Sequence, residues 1–457
     1  MDQAHIQCGR YECDWYEFTQ GNNMRLKVVT AACFIISQSL SAQTLEQSVA
    51  QAIDNNPQIK QQYAKFESLL KDRDAATSDY YPTVNLHGGV GYEGTGNDLK
   101  VDEQLARKEV GVKVTQNLFN GYESDSNVER HSFEAESTRL NLLSDAENLA
   151  LDVSRVYLNL LRSKQLVVLA ERNVKDHEQI LKEIRDREAN GLSDHADFAQ
   201  VQARLSISRS ALLMNKNKVL DTRAEFMRLV GTKPEKLIEP KVDSFLLPAN
   251  EQEAVENAIK HNPEIRVSLA KLEVAKSDIK LESSAYYPDV NLELHANYND
   301  DVGGIQGNDN DMRLMLTVSY DIYNGGNTNS KKDAAIWRKE EAKAVRIRAE
   351  QKVTESVRLA WNAWSIQKQQ LQWLQQNVDA AKQVEIGYQE QFERDTRSLI
   401  DVLDAKVELF KARETYIETS YDQRLASYRL LNATGQLTYA MRVAYPEQWK
   451  KEVISNE

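Results

Sequence analysis

The pattern of hydrophobic and polar positions first indicates very long helices. Between residues 353 and 381, apolar side chains recur alternately four and three residues apart, with one polar interruption at Gln367: Val353, Val357, Ala360, Trp364, Leu371, Leu374, Val378 and Ala381. Such a heptad stripe is typical of helices that pack lengthwise. Glycine and proline are absent from 122–190, and 327–394 contains only Gly387. We therefore predict one helix in each stretch, on the order of 100 Å long at ~1.5 Å per residue.

Turn residues predict where the long helices reverse direction. The segments 191–193 and 395–398 should each lead into a shorter return helix, at about 197–230 and 399–434. Each return helix would be about half as long as the long helix beside it. Further helices at 45–80 and 250–285 have nearly the length of the other half. Each half of the chain is therefore predicted to contain one long helix beside two shorter helices stacked end to end.

The pattern changes to strict alternation in four short segments, 84–92, 110–118, 290–298 and 314–322. In the first segment Val84 and Leu86 fall on one face, and Asn85 and His87 fall on the other. Segments of ~10 residues with one apolar and one polar face suit transmembrane β-strands, with a half-buried soluble sheet as the alternative. Four strands leave open edges, which lipid does not tolerate, and barrels start near ~8 strands. Closure would require two, three or four copies.

The sequence contains an internal repeat, so each half of the chain encodes the same architecture. The segment 52–59 recurs at 258–265, and 80–86 recurs at 286–292, while Asp197 corresponds to Asp401. We expect a first repeat over 43–231, an irregular equatorial linker with three prolines over 232–249, a second repeat over 250–437 and a tail over 438–457. Two repeats are too few for a solenoid array.

Composition and charge exclude several classes of function. The 457 residues carry 57 Lys+Arg against 69 Asp+Glu, a net charge of -12, which disfavours nucleic-acid binding. Residues 1–42 are expected to be a leader and signal peptide, with Met24 as the true start. Since Cys8, Cys13 and Cys33 all lie there, the exported chain would contain no cysteine. No metal-ligand spacing, nucleophile motif or phosphate-binding loop occurs, so we expect no enzyme activity and no cofactor.

Four motifs carry a resemblance to a known family. They are Asn-Pro-x-Ile at 56–59 and 262–265, Pro-x-Val-Asn-Leu at 82–86 and 288–292, Gln-Asn-Leu-Phe-Asn-Gly at 116–121, and Thr-Arg-Ser-Leu-Ile-Asp-Val-Leu-Asp-Ala at 396–405. Through them the chain resembles the TolC-like outer-membrane channels over roughly residues 45–440.

The resemblance implies an α+β membrane protein. Its homotrimer would form a twelve-stranded barrel in outer-membrane lipid, four strands per chain, continuous with a helical barrel in the periplasm. Such a duct passively conducts substrate, either a type I secreted protein such as a large adhesin or small toxic molecules. Implied partners are a periplasmic adaptor (membrane fusion) protein and an inner-membrane ABC or other transporter, which supply the energy. The motif at 116–121 favours the type I secretion branch.

The resemblance also assigns residues to a gate at the periplasmic tip. Asp401 and Asp404 would form acidic rings that attract cations, although Asp401 also fits a helix cap with Ser398. Arg397 would pair with Asp197 to hold the entrance shut. Phe392 stands where relatives have a tyrosine, so it lacks a hydroxyl group for this network. Contact with the adaptor is expected from the two tip turns: Gly191, Leu192, Ser193, Thr396, Arg397 and Ser398.

One alternative function stays open at this point. A soluble periplasmic coiled-coil adaptor or structural protein would account for the helices and the signal peptide. It would leave the four amphipathic strands without a role.

Overall fold

The computed structural model describes residues 43–97, 100–191, 193–303, 306–450 and 453. The predicted leader with Met24 lies outside these residues. The helices are α1 (Leu45–Asn55), α2 (Pro57–Ala76), α3 (Glu123–Ala189), α4 (His195–Val230), α5 (Glu251–His261), α6 (Pro263–Ser284), α7 (Asn327–Glu393), α8 (Leu399–Ala433), α9 (Leu437–Ala440) and α10 (Glu447–Lys450). The strands are β1 (Thr83–Asn97), β2 (Lys100–Asn120), β3 (Asp289–Asp300) and β4 (Asn308–Ser319).

The two predicted long helices are present, since α3 and α7 each contain 67 residues. Both begin in the same way after a strand. The amide of Asn120 donates to the hydroxyl of Ser124 at 2.7 Å, and the amide of Asn324 donates to that of Thr328 at 2.6 Å. The predicted return helices correspond to α4 and α8. Among the described helices, none combines the length and apolar content needed to cross a membrane.

The prediction of a single helix over 45–80 and another over 250–285 is wrong. The first consists of α1 and α2, and the second of α5 and α6. The break falls at Asn56 and at Asn262, whose backbones are extended with ψ of 126° and 124°. Each asparagine accepts a hydrogen bond at the start of the next helix, and the proline that follows occupies the first helical position. Proline lacks an N–H group and restricts the residue before it, so the helix restarts there.

The short helices pack lengthwise on the long ones. Helices α1, α2 and α4 contact α3, while α5, α6 and α8 contact α7, and α6 also contacts α3. The largest buried cluster lies midway along the bundle around Tyr157 and Phe226. The hydroxyl oxygen of Tyr157 lies 2.8 Å from the backbone oxygen of Gln43 and 2.6 Å from that of Ile238, and it accepts the backbone N–H of Ile238 at 3.0 Å. This residue thereby attaches the linker between the repeats to α3.

The strands form one antiparallel sheet in the order β1-β2-β3-β4. Pairing of β2 with β3 joins the two repeats, and β1 and β4 form the two edges. The strands contain 15, 21, 12 and 12 residues, so the first hairpin is longer than the predicted ~10 residues. Pairing continues past the alternating segment to Asn97 and Lys100, because the glycine-rich end of β1 still supplies backbone hydrogen bonds.

Candidate functional site

The sheet presents an uncovered apolar face. Even-numbered positions point to this face over 84–94 of β1, over 106–116 of β2 and along β3 and β4, as the register of Val84 with Val114 and of Leu292 with Leu316 shows. A bulge after Asn117 changes the alternation at the end of β2, where Phe119 lies opposite Val290. Val90 and Tyr92 are 87% and 91% exposed. Other large apolar side chains of this face are also exposed: Val84, Leu86, Val110, Tyr298, Leu314, Leu316 and Val318. Exposure of so many neighbouring apolar side chains to water is unfavourable. The face therefore indicates contact with lipid or with another protein.

The opposite face of the sheet carries paired charges. The ammonium group of Lys113 lies 3.1 Å from the carboxylate of Glu293, which also contacts His295 at 3.0 Å. The guanidinium group of Arg107 contacts Glu93 at 3.1 Å and also Glu109. Further polar contacts join Asn117 to Asn291 and Arg313 to Asp311. A sheet with one apolar face and one charged face suits a wall between lipid and water.

The far ends of the long helices form a tip of two turns over a small core. Residues from both repeats build this core: Ile180, Ile184, Val201, Phe392, Leu399, Val402 and Leu403. The first turn reverses at Gly191, with φ of +72°, and the second at Asp395, with φ of +55°. The predicted tip residues Gly191, Thr396 and Ser398 are exposed. Leu192 lies outside the described residues.

Asp401 caps the start of α8 and also lies near a cation. The backbone N–H of Asp401 donates to the hydroxyl of Ser398 at 3.3 Å, and that hydroxyl donates to the carboxylate of Asp401 at 2.8 Å. The guanidinium group of Arg397 lies 3.7 Å from the same carboxylate. The capping role that the sequence left open is therefore present, and its carboxylate remains partly exposed.

The predicted pair of Arg397 and Asp197 is not formed within the described chain. The guanidinium group of Arg397 donates to the side-chain oxygen of Gln391 at 3.1 Å and lies 3.9 Å from the ring centroid of Tyr388. The carboxylate of Asp197 accepts from the hydroxyl of Ser193 at 2.8 Å. Within this chain, α7 thus supplies the partners of Arg397 and Ser193 supplies that of Asp197, and the pair of Arg397 with Asp197 stays a prediction.

Two contacts between the repeats were not predicted from the sequence. The guanidinium group of Arg187 lies 3.1 Å from the carboxylate of Asp395 and 4.7 Å from the ring centroid of Phe392. That of Arg204 donates to the carboxylate of Asp404 at 2.8 Å. Phe392 is buried, and its ring is part of the tip core. The partners lie about 200 residues apart in sequence, and no local pattern identifies them.

A buried carboxylate attaches the C-terminal segment to α3. Glu147 accepts the backbone N–H groups of Leu437 at 3.0 Å and Thr438 at 3.2 Å, and the hydroxyl of Tyr445 at 3.1 Å. Burial raises the pKa of Glu147 above its ordinary value, although these hydrogen bonds lower it. Arg139, also buried, donates to the backbone oxygen of Trp449 at 3.0 Å. Sequence reasoning gave Glu147 no role.

Comparison with known proteins gives consistent matches over nearly the whole described chain. The family model described as outer membrane efflux protein matches residues 49–232 and 254–436. The outer membrane efflux protein BepC of Brucella suis is 24% identical over 429 residues, which cover 93% of this chain and 92% of that protein. The outer membrane protein TolC of Vibrio cholerae is 24% identical over 424 residues, which cover 90% of this chain and 94% of that protein.

Two solved structures show the same fold. A crystal structure of CusC superposes with a TM-score of 0.77 at 16% sequence identity, covering 86% of this chain and 92% of the CusC chain. The outer membrane protein VceC of Vibrio cholerae superposes with a TM-score of 0.75 at 15% identity, covering 86% of this chain and 96% of that chain. At these identities the superpositions establish the arrangement of helices and strands.

Proposed function

Because the chain belongs to the outer membrane efflux protein family, we propose that it is the exit duct of a tripartite export system. Membership confirms the resemblance to TolC-like channels, the outer-membrane location and the role in transport. The duct itself conducts substrate passively across the periplasm and the outer membrane. Its energy comes from an inner-membrane ABC or other transporter, to which a periplasmic adaptor connects it.

The uncovered apolar face of the sheet is the observation that carries this proposal. Backbone groups at the edges β1 and β4 need partners in lipid, where water is absent. Edge pairing between copies satisfies these groups, places the apolar face toward lipid and turns the charged face toward a water-filled lumen. Among the possible numbers of copies we propose three, as in the TolC-like channels, which gives twelve strands.

Exposed apolar stripes on two helices support assembly through the helical part as well. On α4, Leu213, Leu220 and Met227 are spaced by seven residues, as are Leu359, Ile366 and Trp373 on α7. Seven-residue spacing produces a continuous seam along a helix that packs against another helix. Since the α4 and α7 seams are uncovered within one chain, we propose that they meet between neighbouring chains.

The tip is the proposed gate and docking site. The proposed gate residues are Arg397 in the second turn, Asp197 in the first turn of α4, Phe392 at the end of α7, and Asp401 and Asp404 at the start of α8. Docking of adaptor hairpins on Gly191, Leu192, Ser193, Thr396, Arg397 and Ser398 would rearrange the tip and open the duct. Exposure of the described tip turns supports this assignment, and the tip contacts between repeats supply the interactions that opening would break.

The substrate is proposed as a class. A lumen lined by paired charges presents few apolar contacts, so it suits the passage of an unfolded secreted protein or of small polar or amphipathic molecules. The motif Gln-Asn-Leu-Phe-Asn-Gly at 116–121 favours a type I secreted protein, with a large adhesin as the leading candidate. Export of small toxic molecules is the second candidate, because BepC is named an efflux protein.

The alternative of a soluble periplasmic adaptor is disfavoured by the same sheet. In that protein the exposed apolar side chains of the sheet would face water as one contiguous surface, which soluble monomers rarely present. Addition of the purified protein to a planar lipid bilayer distinguishes the two functions. The proposal expects discrete ion conductance and extraction from membranes only with detergent. A protein that fractionates with soluble periplasmic material and conducts no ions would favour the adaptor.

A further inference from the structure

Asp404 has a cationic partner from the other repeat. The Nη2 atom of Arg204, on α4, lies 2.8 Å from Oδ1 of Asp404, on α8. The two side chains are 31% and 60% exposed, so the carboxylate borders solvent on one side and the guanidinium group on the other. The direct hydrogen bond orients Arg204 toward this acid.

The pair occurs once in each chain, although the architecture is repeated. At the offset of 204 that relates Asp197 to Asp401, Asp404 corresponds to Gln200 and Arg204 corresponds to Glu408. One helix therefore carries the cation and the other carries the acid. The charges of Arg204 and Asp404 cancel, so the pair has no net charge, and the equivalent positions Gln200 and Glu408 provide no second pair of this kind.

We propose that Arg204 sets the ion selectivity of the duct entrance by neutralising Asp404 from within the same chain. The inference rests on the proposed function, since it requires Asp404 to border the conducting path. A carboxylate without a partner attracts cations into a pore and repels anions. A carboxylate in contact with a guanidinium group acts as a dipole, whose field decays over a shorter distance than that of a single charge. In a trimer, removal of Arg204 uncovers three carboxylates at once.

Selectivity of the purified channel in planar bilayers tests this role. Reversal potentials in a potassium chloride gradient give the permeability ratio of K⁺ to Cl⁻. We expect Arg204→Gln to raise this ratio roughly twofold or more and to increase block by divalent cations. Arg204→Lys retains the positive charge and should keep the ratio close to that of the original protein. Arg209→Gln is the matched control, because it removes one positive charge from the same helix but contacts Glu178.

A double variant distinguishes two causes of a changed permeability ratio, the loss of charge and a loosening of the tip. Arg204→Gln with Asp404→Asn restores the zero net charge of the pair, so its permeability ratio should return to the original value. The inference is overturned if Arg204→Gln and Arg209→Gln have equal effects. It is also overturned if the double variant keeps the raised ratio, or if Arg204→Lys raises it equally. Failure of the proposed function would look different, since the original protein would then conduct no ions.

Discussion

Arg187 and Asp395 join the two repeats at the tip of the chain. The Nη1 atom of Arg187, near the end of α3, lies 3.1 Å from Oδ1 of Asp395, in the turn after α7. The guanidinium group also lies over the buried ring of Phe392, with 4.7 Å between the guanidinium carbon and the ring centroid. One side chain thereby links the first long helix to the turn and the core of the second repeat.

On the proposal that the tip is the gate, we predict that Arg187→Ala raises the basal conductance of the channel. An exposed ion pair stabilises by ~0–1 kcal/mol and a cation–π contact by ~0.5–1 kcal/mol, so the tip arrangement described above should lose about 1 kcal/mol in each chain. Single-channel recording in planar bilayers measures this change. Arg209→Ala, which removes an exposed arginine away from the tip turns, should leave basal conductance unchanged. Equal conductance of the Arg187→Ala channel and the original would show that this contact does not restrain the tip.

Joint replacement of Asp401 and Asp404 tests the acidic entrance. Asp401→Ala with Asp404→Ala should shift ion preference from cations toward anions and weaken block by divalent cations. The reason is that Arg397 and Arg204 would then lack the carboxylates that lie 3.7 Å and 2.8 Å from them. The corresponding Asn variants remove the charge while retaining most of the side-chain volume. Unchanged selectivity and block in both double variants would refute the assignment of these acids to the entrance.

Two adjacent residues on β4 test which face of the sheet contacts lipid. Leu316 pairs with Leu292 on the apolar face, and Met315 pairs with Glu293 on the charged face. Leu316→Arg should reduce assembly in the outer membrane, because arginine in the lipid-facing midplane costs about 2–4 kcal/mol. Met315→Arg places the same side chain toward the lumen and should assemble normally. The yield of detergent-extracted oligomer provides the measurement, and equal losses for both variants would contradict the assignment of the faces.

We predict that the stability of the helical part depends on pH through the buried carboxyl group of Glu147. Burial raises the pKa of this carboxyl group in the folded chain above its ordinary value of 4.5. The folded state therefore binds the proton more tightly than the unfolded state. Its contribution to stability is fully present below the unfolded pKa and is lost as the pH rises through the folded pKa.

A Gln variant isolates the contribution of Glu147. Thermal unfolding in detergent should show that Glu147→Gln nearly matches the original protein at about pH 4 and loses less stability toward about pH 8. Glu147→Ala should be less stable throughout, because each buried N–H group left without an acceptor, at Leu437 and Thr438, costs about 1–3 kcal/mol. Parallel pH profiles of the original and the Gln variant would show that Glu147 does not titrate differently on folding.

The elements of regular structure were largely predictable because their signals are local. The absence of glycine and proline predicted α3 and α7, and alternation predicted the faces of the sheet. The breaks at Asn56 and Asn262 were missed, although the repeated Asn-Pro motif contains their cause. A proline can begin a helix or interrupt one. The hydrophobic pattern on either side of each proline was too short to show whether one helix continues or a second one begins.

The tip was predictable as a location and less so as a set of contacts. The turn residues and the resemblance identified Asp401 and Arg397, and the cap of Asp401 by Ser398 followed from their spacing. Partners from the other repeat were not predictable, because Arg187 and Asp395 are 208 residues apart. The position of Arg204 opposite Asp404 depends on how α4 packs beside α8, which the periodicity of either helix alone does not define.

The number of chains in the detergent-extracted particle tests the central claim most directly. Light scattering of the outer-membrane fraction, corrected for bound detergent, gives the molar mass of the protein component. The account predicts three chains in one particle, whose twelve strands close the barrel. A monomer that is stable in water without detergent would contradict it, since the open sheet would then need neither lipid nor a second copy.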